Sequence, residues 1–179
     1  MRLRNICLGL VAALLLCGGA AVYFLRARSY EWREITSSDS QFRVNLPSDP
    51  SLSVSNEKST DGSPFVSHIL KSTPADRVFY VVSWWENPTQ QGQTTEELFA
   101  HFRQCDINVF NARVMSEKDV KVQGYPAKLI FIMGGNGLIV ENLAIRADTR
   151  VYSLTVLDSR AVLERENIRK FFGSFRLEQ

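Results

Sequence analysis

The sequence predicts an α+β domain, with a largely antiparallel sheet and two helices packed against it, preceded by one N-terminal transmembrane helix. Three observations lead to this prediction. Residues 6–25 contain no charged residue, two later segments repeat their apolar residues at helical spacing, and most of the remaining segments alternate apolar and polar residues as half-buried strands do. Strands and helices do not alternate along the chain, which favours antiparallel pairing over a parallel sheet.

The N-terminal segment, residues 1–28, is interpreted as an uncleaved signal-anchor. The run from Ile6 to Leu25 would form a helix of about 30 Å, which matches the hydrocarbon core of a bilayer. This helix would be apolar on all of its faces, whereas a core helix would carry a polar stripe. A short basic start, an apolar run and a long polar remainder are typical of an export signal. We therefore expect a single-pass membrane protein with its C-terminal domain outside the cytoplasm.

A cleaved signal peptide is the alternative for the same segment. Gly18 and Ala20 are small residues at the positions that precede a cleavage site. Cleavage near Ala20 would release a soluble exported protein. The apolar run continues to Leu25, beyond the usual length of a signal-peptide core, which favours the uncleaved form. Arginines on both sides of the run nearly balance, so the positive-inside rule does not decide the orientation.

The positive charge of the chain comes from this segment. The chain has 21 Lys and Arg against 19 Asp and Glu, a net charge of +2. Four arginines lie within residues 1–28, so the remainder has 17 basic and 19 acidic residues and a net charge of −2. A nucleic-acid-binding domain carries a basic face, whereas the only basic cluster of the remainder is Arg165, Arg169 and Lys170. We therefore expect no nucleic-acid partner.

Residues 29–40 are expected to form a linker or an edge strand, and residues 41–179 a single α+β domain. Phe42 to Leu46 alternates apolar and polar residues and ends at Pro47, as a half-buried strand does. Residues 47–63 are rich in Ser, Asp, Pro and Gly and predict a loop with at most a short strand at Leu52–Val54.

Two strands follow at residues 65–70 and 78–85. The second is β-branched or aromatic almost throughout, which predicts a central strand. Further strands are expected at 114–122, 127–133 and 138–147, and a strand at 151–157 pairs back. Phe175 and Leu177 alternate as a last short strand. Residues 134–137, with an Asn-Gly pair between flanking strands, are typical of a hairpin turn.

Two helices are predicted. The first begins after Thr94, whose capping box is completed by Glu97. Its apolar stripe comprises Leu98, Phe102, Cys105 and Val109. The closing helix is expected to be capped by Asp158 or Ser159 and to end at Gly173. Cys105 is the single cysteine after residue 28, which excludes an internal disulfide there, and we expect it to be a small buried residue; a free thiol for intermolecular pairing is the alternative.

The pattern resembles the PsbP/Mog1-like group of α+β domains, which includes small exported bacterial proteins of unknown role. The resemblance depends on four short motifs that span most of residues 41–177. They are Phe42–Pro47, Gly124–Ala127, Arg150–Leu154 and Phe171–Phe175. It implies a fold and a binding or assembly role, and it transfers no catalytic residue.

A possible ligand or partner surface is predicted at Tyr80, Trp84 and Trp85. Neighbours on a strand point to opposite faces of a sheet, so one tryptophan can fill the core while the other meets the outer face. One interpretation is that these rings form an exposed aromatic platform for a ligand or partner. The alternative is that helices or loops cover both tryptophans.

The sequence identifies no catalytic, cofactor-binding or metal-binding residue. His68 and His101 lack Cys, His or Asp partners at the spacing of metal ligands, and no G-x-S-x-G motif occurs. We therefore expect a membrane-anchored extracytoplasmic binding or assembly module without catalysis, with a protein partner or a small ligand. The alternative is an exported hydrolase-type enzyme whose site the sequence does not reveal.

Overall fold

The computed structural model describes residues 31–37, 41–58, 64–75, 78–86, 93–135, 137–158 and 165–178. The described residues form the following strands and helices: β1 (Trp32–Ser37), β2 (Phe42–Pro47), β3 (Ser51–Lys58), β4 (Pro64–Ala75), β5 (Val78–Glu86), α1 (Thr95–Phe110), β6 (Ala112–Val122), β7 (Tyr125–Gly134), β8 (Ile139–Ala147), β9 (Arg150–Asp158), α2 (Arg165–Ser174) and β10 (Arg176–Leu177). The predicted span Ile6–Leu25 lies outside the described residues. Within them, no helix has the length and hydropathy needed to cross a membrane.

The strands form two sheets rather than the single sheet that the sequence predicts. The larger sheet has the order β3-β4-β5-β9-β8-β7-β6, and the smaller one has the order β1-β2-β10. Neighbouring strands in both sheets are antiparallel. The predicted α+β class, with antiparallel pairing and two helices, is therefore confirmed.

Tight turns set the register of the second half of the larger sheet. Gln123 and Gly124 connect β6 to β7 with φ angles of 50° and 92°, as the two central residues of a type I′ hairpin turn require. The predicted hairpin at residues 134–137 is also present, because β7 pairs with β8 and the Gly134 amide donates to the Leu138 carbonyl at 2.7 Å.

The main core lies between the two sheets. The side chains of Phe42, Val44 and Leu46 on β2 are fully buried against the larger sheet. The Phe42 ring stacks on Phe175 and meets the edge of Trp84, with centroid distances of 5.6 and 5.0 Å. Helix α2 adds its buried residues to the same layer, so the smaller sheet and α2 together cover one face of the larger sheet.

Helix α1 packs on the opposite face of the larger sheet. The predicted capping box is present, because Thr94 Oγ1 accepts from the Glu97 amide and the Glu97 carboxylate accepts from the Thr94 amide. The helix buries Leu98, Phe99 and Phe102 against β7, β8 and β9. The buried Lys128 ammonium on β7 fixes the first turn of α1 to the sheet through an ion pair with Glu96 at 3.1 Å.

The predicted apolar stripe of α1 is wrong in its second half. Cys105 and Val109 are exposed, Val109 with 73% of its surface accessible. The inward positions at this end are instead Asp106 and Phe110, four and eight residues after Phe102. Asp106 faces the sheet because its carboxylate accepts a hydrogen bond from the buried Asn142 on β8, at 2.9 Å. A polar residue thus replaces the expected apolar contact.

Two segment boundaries also differ from the prediction. The segment expected to be a loop with a short strand at Leu52–Val54 contains the eight-residue strand β3. Leu52 and Val54 alternate with serines in this strand, and it pairs with β4 along its whole length. Asp158 ends β9 instead of capping a helix, and α2 continues through Gly173 to Ser174. Residues 159–164, including the alternative cap Ser159, lie outside the described residues.

We predict that Phe42→Ala lowers the free energy of unfolding by about 3–5 kcal/mol, because it removes a fully buried ring that touches both sheets. Denaturant unfolding followed by tryptophan fluorescence measures this loss. Val109→Ala is the matched control, since the side chain is exposed and its removal should change stability by less than about 0.5 kcal/mol. A Phe42→Ala variant as stable as the control would contradict this account of the core.

Candidate functional site

The structure places the three predicted surface residues beneath other elements. Tyr80 and Trp84 on β5 are 0% and 6% exposed and belong to the core between the two sheets. Tyr80 meets the rings of Trp32 and Phe171 edge-on, at 5.6 and 5.4 Å. The expectation that Tyr80 and Trp84 present a surface to a ligand or partner is therefore wrong, because the smaller sheet and α2 cover them.

Trp85 points to the opposite face of the sheet, as the alternation along a strand requires. Its ring is half-buried and contacts Phe102 of α1 at 5.4 Å and Phe65 of β4 at 6.3 Å. Both tryptophans are thus covered, one by the smaller sheet and one by α1. Other elements therefore cover Trp84 and Trp85, as the alternative interpretation expects, and this pair does not form an exposed aromatic platform.

An exposed apolar surface lies instead on the β3–β4 hairpin. Leu52, Val54 and Val66, here called the edge strip, are 58%, 57% and 43% exposed. Leu52 lies opposite the buried Leu70, and Val54 lies opposite His68. The edge strip therefore continues the core face of the larger sheet beyond the area that the smaller sheet covers.

His68 joins the edge strip to the core. Its ring lies parallel to that of Trp84, with an interplanar angle of 8° and a centroid distance of 5.0 Å. His68 is half-buried, so the exposed side of the hairpin begins where this stack ends. This histidine has a structural role in the packing of an aromatic neighbour, which accounts for its place on the strand without a metal or a catalytic partner.

A polar pocket of about 440 Å³ lies at one end of the larger sheet. It is lined by the three turns that carry Gln41, Gln123 and Asp148. These are three of the five non-glycine residues with positive φ in the described part of the chain. Gln123 and Asp148 lie in the two-residue connections β6–β7 and β8–β9, where a positive φ is common. The pocket is a second candidate site because its lining is largely polar, which suits a small polar ligand.

Hydrogen bonds within the chain already use several of its polar groups. The Tyr125 hydroxyl donates to Asp148 at 2.9 Å, and this bond raises the pKa of Tyr125. Arg150 donates to the Gln41 side chain at 3.3 Å and forms an ion pair with Glu86 at 3.6 Å. A ligand in this pocket must replace some of these contacts, which lowers the affinity that the pocket can provide.

Two carboxyl groups, the half-buried Asp106 and the buried Glu141, have raised pKa values, as catalytic acids often do. Burial raises the pKa of Asp106, and the hydrogen bond from Asn142 opposes the rise. Burial also raises the pKa of Glu141, against the nearby charge of Arg165. Asp106 is hydrogen-bonded to Asn142 on the face of the larger sheet that α1 covers. Glu141 precedes Asn142 on β8, so its side chain points to the opposite face. The two carboxyl groups therefore do not form an acid–base pair.

The remaining candidate for chemistry is the pair of Cys105 and His101 on α1. The Cys105 Sγ and His101 Nε2 atoms are 3.4 Å apart, as a nucleophile and its base would be. Neighbouring atoms partly shield the thiol and raise its pKa, and the Asp106 carboxylate adds to the rise. An activated cysteine requires the opposite change. Among the described residues, no three His, Cys, Asp or Glu side chains are grouped to hold a metal ion.

Comparisons with known proteins bear on the fold. No protein-family model matches the sequence, and no curated protein matches it. The solution structure of cyanobacterial PsbP (CyanoP) from Synechocystis sp. matches with a TM-score of 0.55 and 10% identity, over 83% of this chain and 94% of that one. The fold is PsbP-like. The resemblance predicted from the sequence is thus confirmed for the fold.

Two other solved structures match the chain with lower TM-scores. One is a protein of unknown function from Pseudomonas aeruginosa, with a TM-score of 0.42 and 13% identity over 77% of this chain and 90% of that one. The other is a protein from Bacteroides thetaiotaomicron, with a TM-score of 0.47 and 10% identity over 82% of this chain and 48% of that one.

We predict that Asp106→Asn raises the free energy of unfolding at pH 7 by about 1 kcal/mol, because it removes a buried charge and keeps an acceptor for Asn142. The pKa of Asp106 is higher in the folded than in the unfolded chain. The stability that Asp106 contributes is therefore present below pH 3.8, the ordinary pKa of this group. It is lost as the pH rises through the pKa that Asp106 has in the folded chain.

The difference between Asp106→Asn and the unchanged chain should therefore disappear near pH 3 and grow towards neutral pH. Denaturant unfolding at several pH values measures it. Glu34→Gln is the matched control, because Glu34 is exposed on β1 and its carboxylate is solvated by water, so its loss should change stability little at any pH. A gain for Asp106→Asn that does not change with pH would contradict the assigned cause.

Proposed function

We propose that this chain is a membrane-anchored protein whose PsbP-like domain lies outside the cytoplasm and binds another protein through the β3–β4 hairpin. The edge strip is the observation that supports this proposal. Its three large apolar side chains are 43–58% exposed and lie side by side on one face of two paired strands. Clustered apolar surface of this kind marks protein interaction sites.

The polar surroundings of the edge strip favour binding over catalysis. Its cross-strand neighbours on β3 and β4 include Asn56 and His68, which supply no nucleophile with an adjacent base. The buried carboxyl groups and the Cys105–His101 pair lie elsewhere in the domain. An exported hydrolase would need such groups to converge at one cleft, whereas a binding module needs only a complementary surface.

Binding of a small polar ligand is a second candidate function. The pocket at the sheet end, bordered by Gln41, Gln123 and Asp148, favours it. Both functions are compatible with one non-catalytic module, since the pocket and the edge strip involve different strands of the larger sheet.

Residues 1–28 of the sequence are the basis on which we propose the membrane anchor and the exported orientation. The uncharged run from Ile6 to Leu25 is long enough for one span. We predict that the full-length chain remains in the membrane fraction after an alkaline carbonate wash. A mature protein that begins at Ala21 and is soluble would contradict the anchor.

The exposed Cys105 thiol reports the orientation of the domain. We predict that a membrane-impermeant maleimide at mildly alkaline pH labels Cys105 in cells whose cytoplasmic membrane is intact, because the domain faces outward. A Cys105→Ser chain is the control for labelling at Cys7 or Cys17. Labelling of Cys105 that requires lysis would place the domain in the cytoplasm and overturn this part of the proposal.

We also predict that Val54→Lys reduces recovery of the partner with the full-length chain, after chemical cross-linking in the membrane and solubilisation in mild detergent, by at least about tenfold, because it places a charge in the apolar contact. Val109→Lys is the matched control, since Val109 is equally apolar and 73% exposed on α1. Equal loss in both variants, or in neither, would contradict binding through the edge strip.

A further inference from the structure

The two outer strands of the larger sheet differ in how they are protected. An outer strand exposes backbone N–H and C=O groups that can pair with another strand, and proteins block this with charged side chains and bulges. β6 carries both devices. Its register shifts between Val114 and Ser116, and five of its eleven residues are charged: Arg113, Glu117, Lys118, Asp119 and Lys121.

β3 lacks this protection over most of its length. Residues Ser51–Asn56 contain no charged side chain, and β3 pairs with β4 without a register shift. Among the described residues, no strand pairs with its outer side. The apolar residues of β3, Leu52 and Val54, lie on this same outer strand and are more than half exposed. Backbone groups and apolar side chains are therefore available at one place.

We propose that the occupant of this edge is β3 of a second copy of the chain, paired antiparallel so that two seven-stranded sheets become continuous. The inference rests on the proposed function and names the partner that the edge strip binds. Pairing of this kind supplies backbone hydrogen bonds from the edge and side-chain contacts from its apolar face, which is the general mode of strand addition.

The alternation of β3 makes it complementary to itself. Ser51, Ser53 and Ser55 point to one face, and Leu52 and Val54 point to the other. A two-fold axis normal to the sheet keeps the faces matched, so serines of one copy meet serines of the other and apolar residues meet apolar residues. A partner strand of any other sequence would need the same alternation to fit equally well.

The register centred on Ser53 satisfies this pattern. It places Leu52 of each copy opposite Val54 of the other, and Ser51 opposite Ser55. Cross-strand apolar pairs of this type stabilise a sheet by about 0.2–1 kcal/mol each. The paired stretch, Ser51–Ser55, contains no charge in either copy, so no like charges face each other.

The contact is small and therefore depends on a high local concentration. Stable protein interfaces bury about 1,200–2,000 Å² in total, more than five paired residues on each side provide. Anchoring both copies in one membrane confines them to a plane, and such confinement raises the effective concentration without any new contact. We therefore expect dimers in the membrane and weak association after dilution in detergent.

Cysteine cross-linking tests the pairing directly. In the full-length chain with Cys7→Ser, Cys17→Ser and Cys105→Ser, Ser53→Cys places two thiols opposite each other at the two-fold axis. A short thiol cross-linker applied to membranes should give at least about tenfold more dimer than with Ser116→Cys, given the specific register. Ser116 is the matched control, an exposed serine on the other outer strand of the same sheet.

The outcomes separate this inference from the proposed function. Cross-linking through Ser53→Cys that Val54→Lys abolishes and Val109→Lys leaves intact supports the β3–β3 dimer. Equal cross-linking at Ser53→Cys and Ser116→Cys indicates random collision and overturns it. If Ser53→Cys gives no dimer while Val54→Lys still releases a different protein, the second copy is not the partner and the proposed function stands. If Val54→Lys changes neither result, both proposals fail.

Discussion

The contact between the two sheets is the constraint on which the rest of the structure depends. The smaller sheet is little more than a two-stranded hairpin, because β10 has only two residues, and such a hairpin is marginally stable at best in water. The inner face of β2 must therefore lie on the larger sheet. Phe42 is the centre of this contact, since its ring touches Trp84 and Tyr152 from the larger sheet and Phe175 from the segment after α2. The backbone amide of Asn45 also donates to the Oγ of Ser174, which lies 129 residues later in the sequence. The start and the end of the domain are thus folded together.

This contact leaves the larger sheet unequally covered. The smaller sheet and α2 protect one face, and α1 protects part of the other over β7, β8 and β9. Neither cover includes the outer part of the β3–β4 hairpin, where Leu52, Val54 and Val66 are exposed. The edge strip is therefore a consequence of the layer arrangement: the sheet has more strands than its covering elements can reach.

Local patterns predicted most elements of the fold, because they depend on neighbouring residues. The capping box of Thr94 and Glu97 and the hairpin turns are examples. The second sheet was missed, since pairing of β10 with β2 joins segments far apart in sequence. The burial of Tyr80 and Trp84 was missed for the same reason, because their cover comes from distant elements. β3 was underestimated because the Ser, Asp, Pro and Gly content of residues 47–63 favoured a loop, although Leu52 and Val54 alternate with serines as in a strand.

The stripe of α1 shows a different limit of sequence patterns. Apolar spacing favoured Cys105 and Val109, yet the inward position is Asp106, whose carboxylate is matched to Asn142 and through it to Ser153. Ser153 donates to the Asn142 side-chain oxygen at 3.0 Å, so the amide is satisfied on both sides. The sequence does not reveal this contact, because Asp106, Asn142 and Ser153 are each of a type that usually lies on the surface. The contact exists only once α1, β8 and β9 are packed together.

The small apolar surface of β3 and the proposed anchor belong to one physical arrangement. An uncharged outer strand rich in Val or Ile would pair with many strands and promote aggregation. Serine at every second position leaves only Leu52 and Val54 of β3 for apolar contact. Its affinity for another strand is therefore low at cellular dilution. A protein confined to a membrane has a much higher local concentration of itself than a soluble one. An edge that is safe in solution can then pair at the membrane, which is where the proposed function requires it.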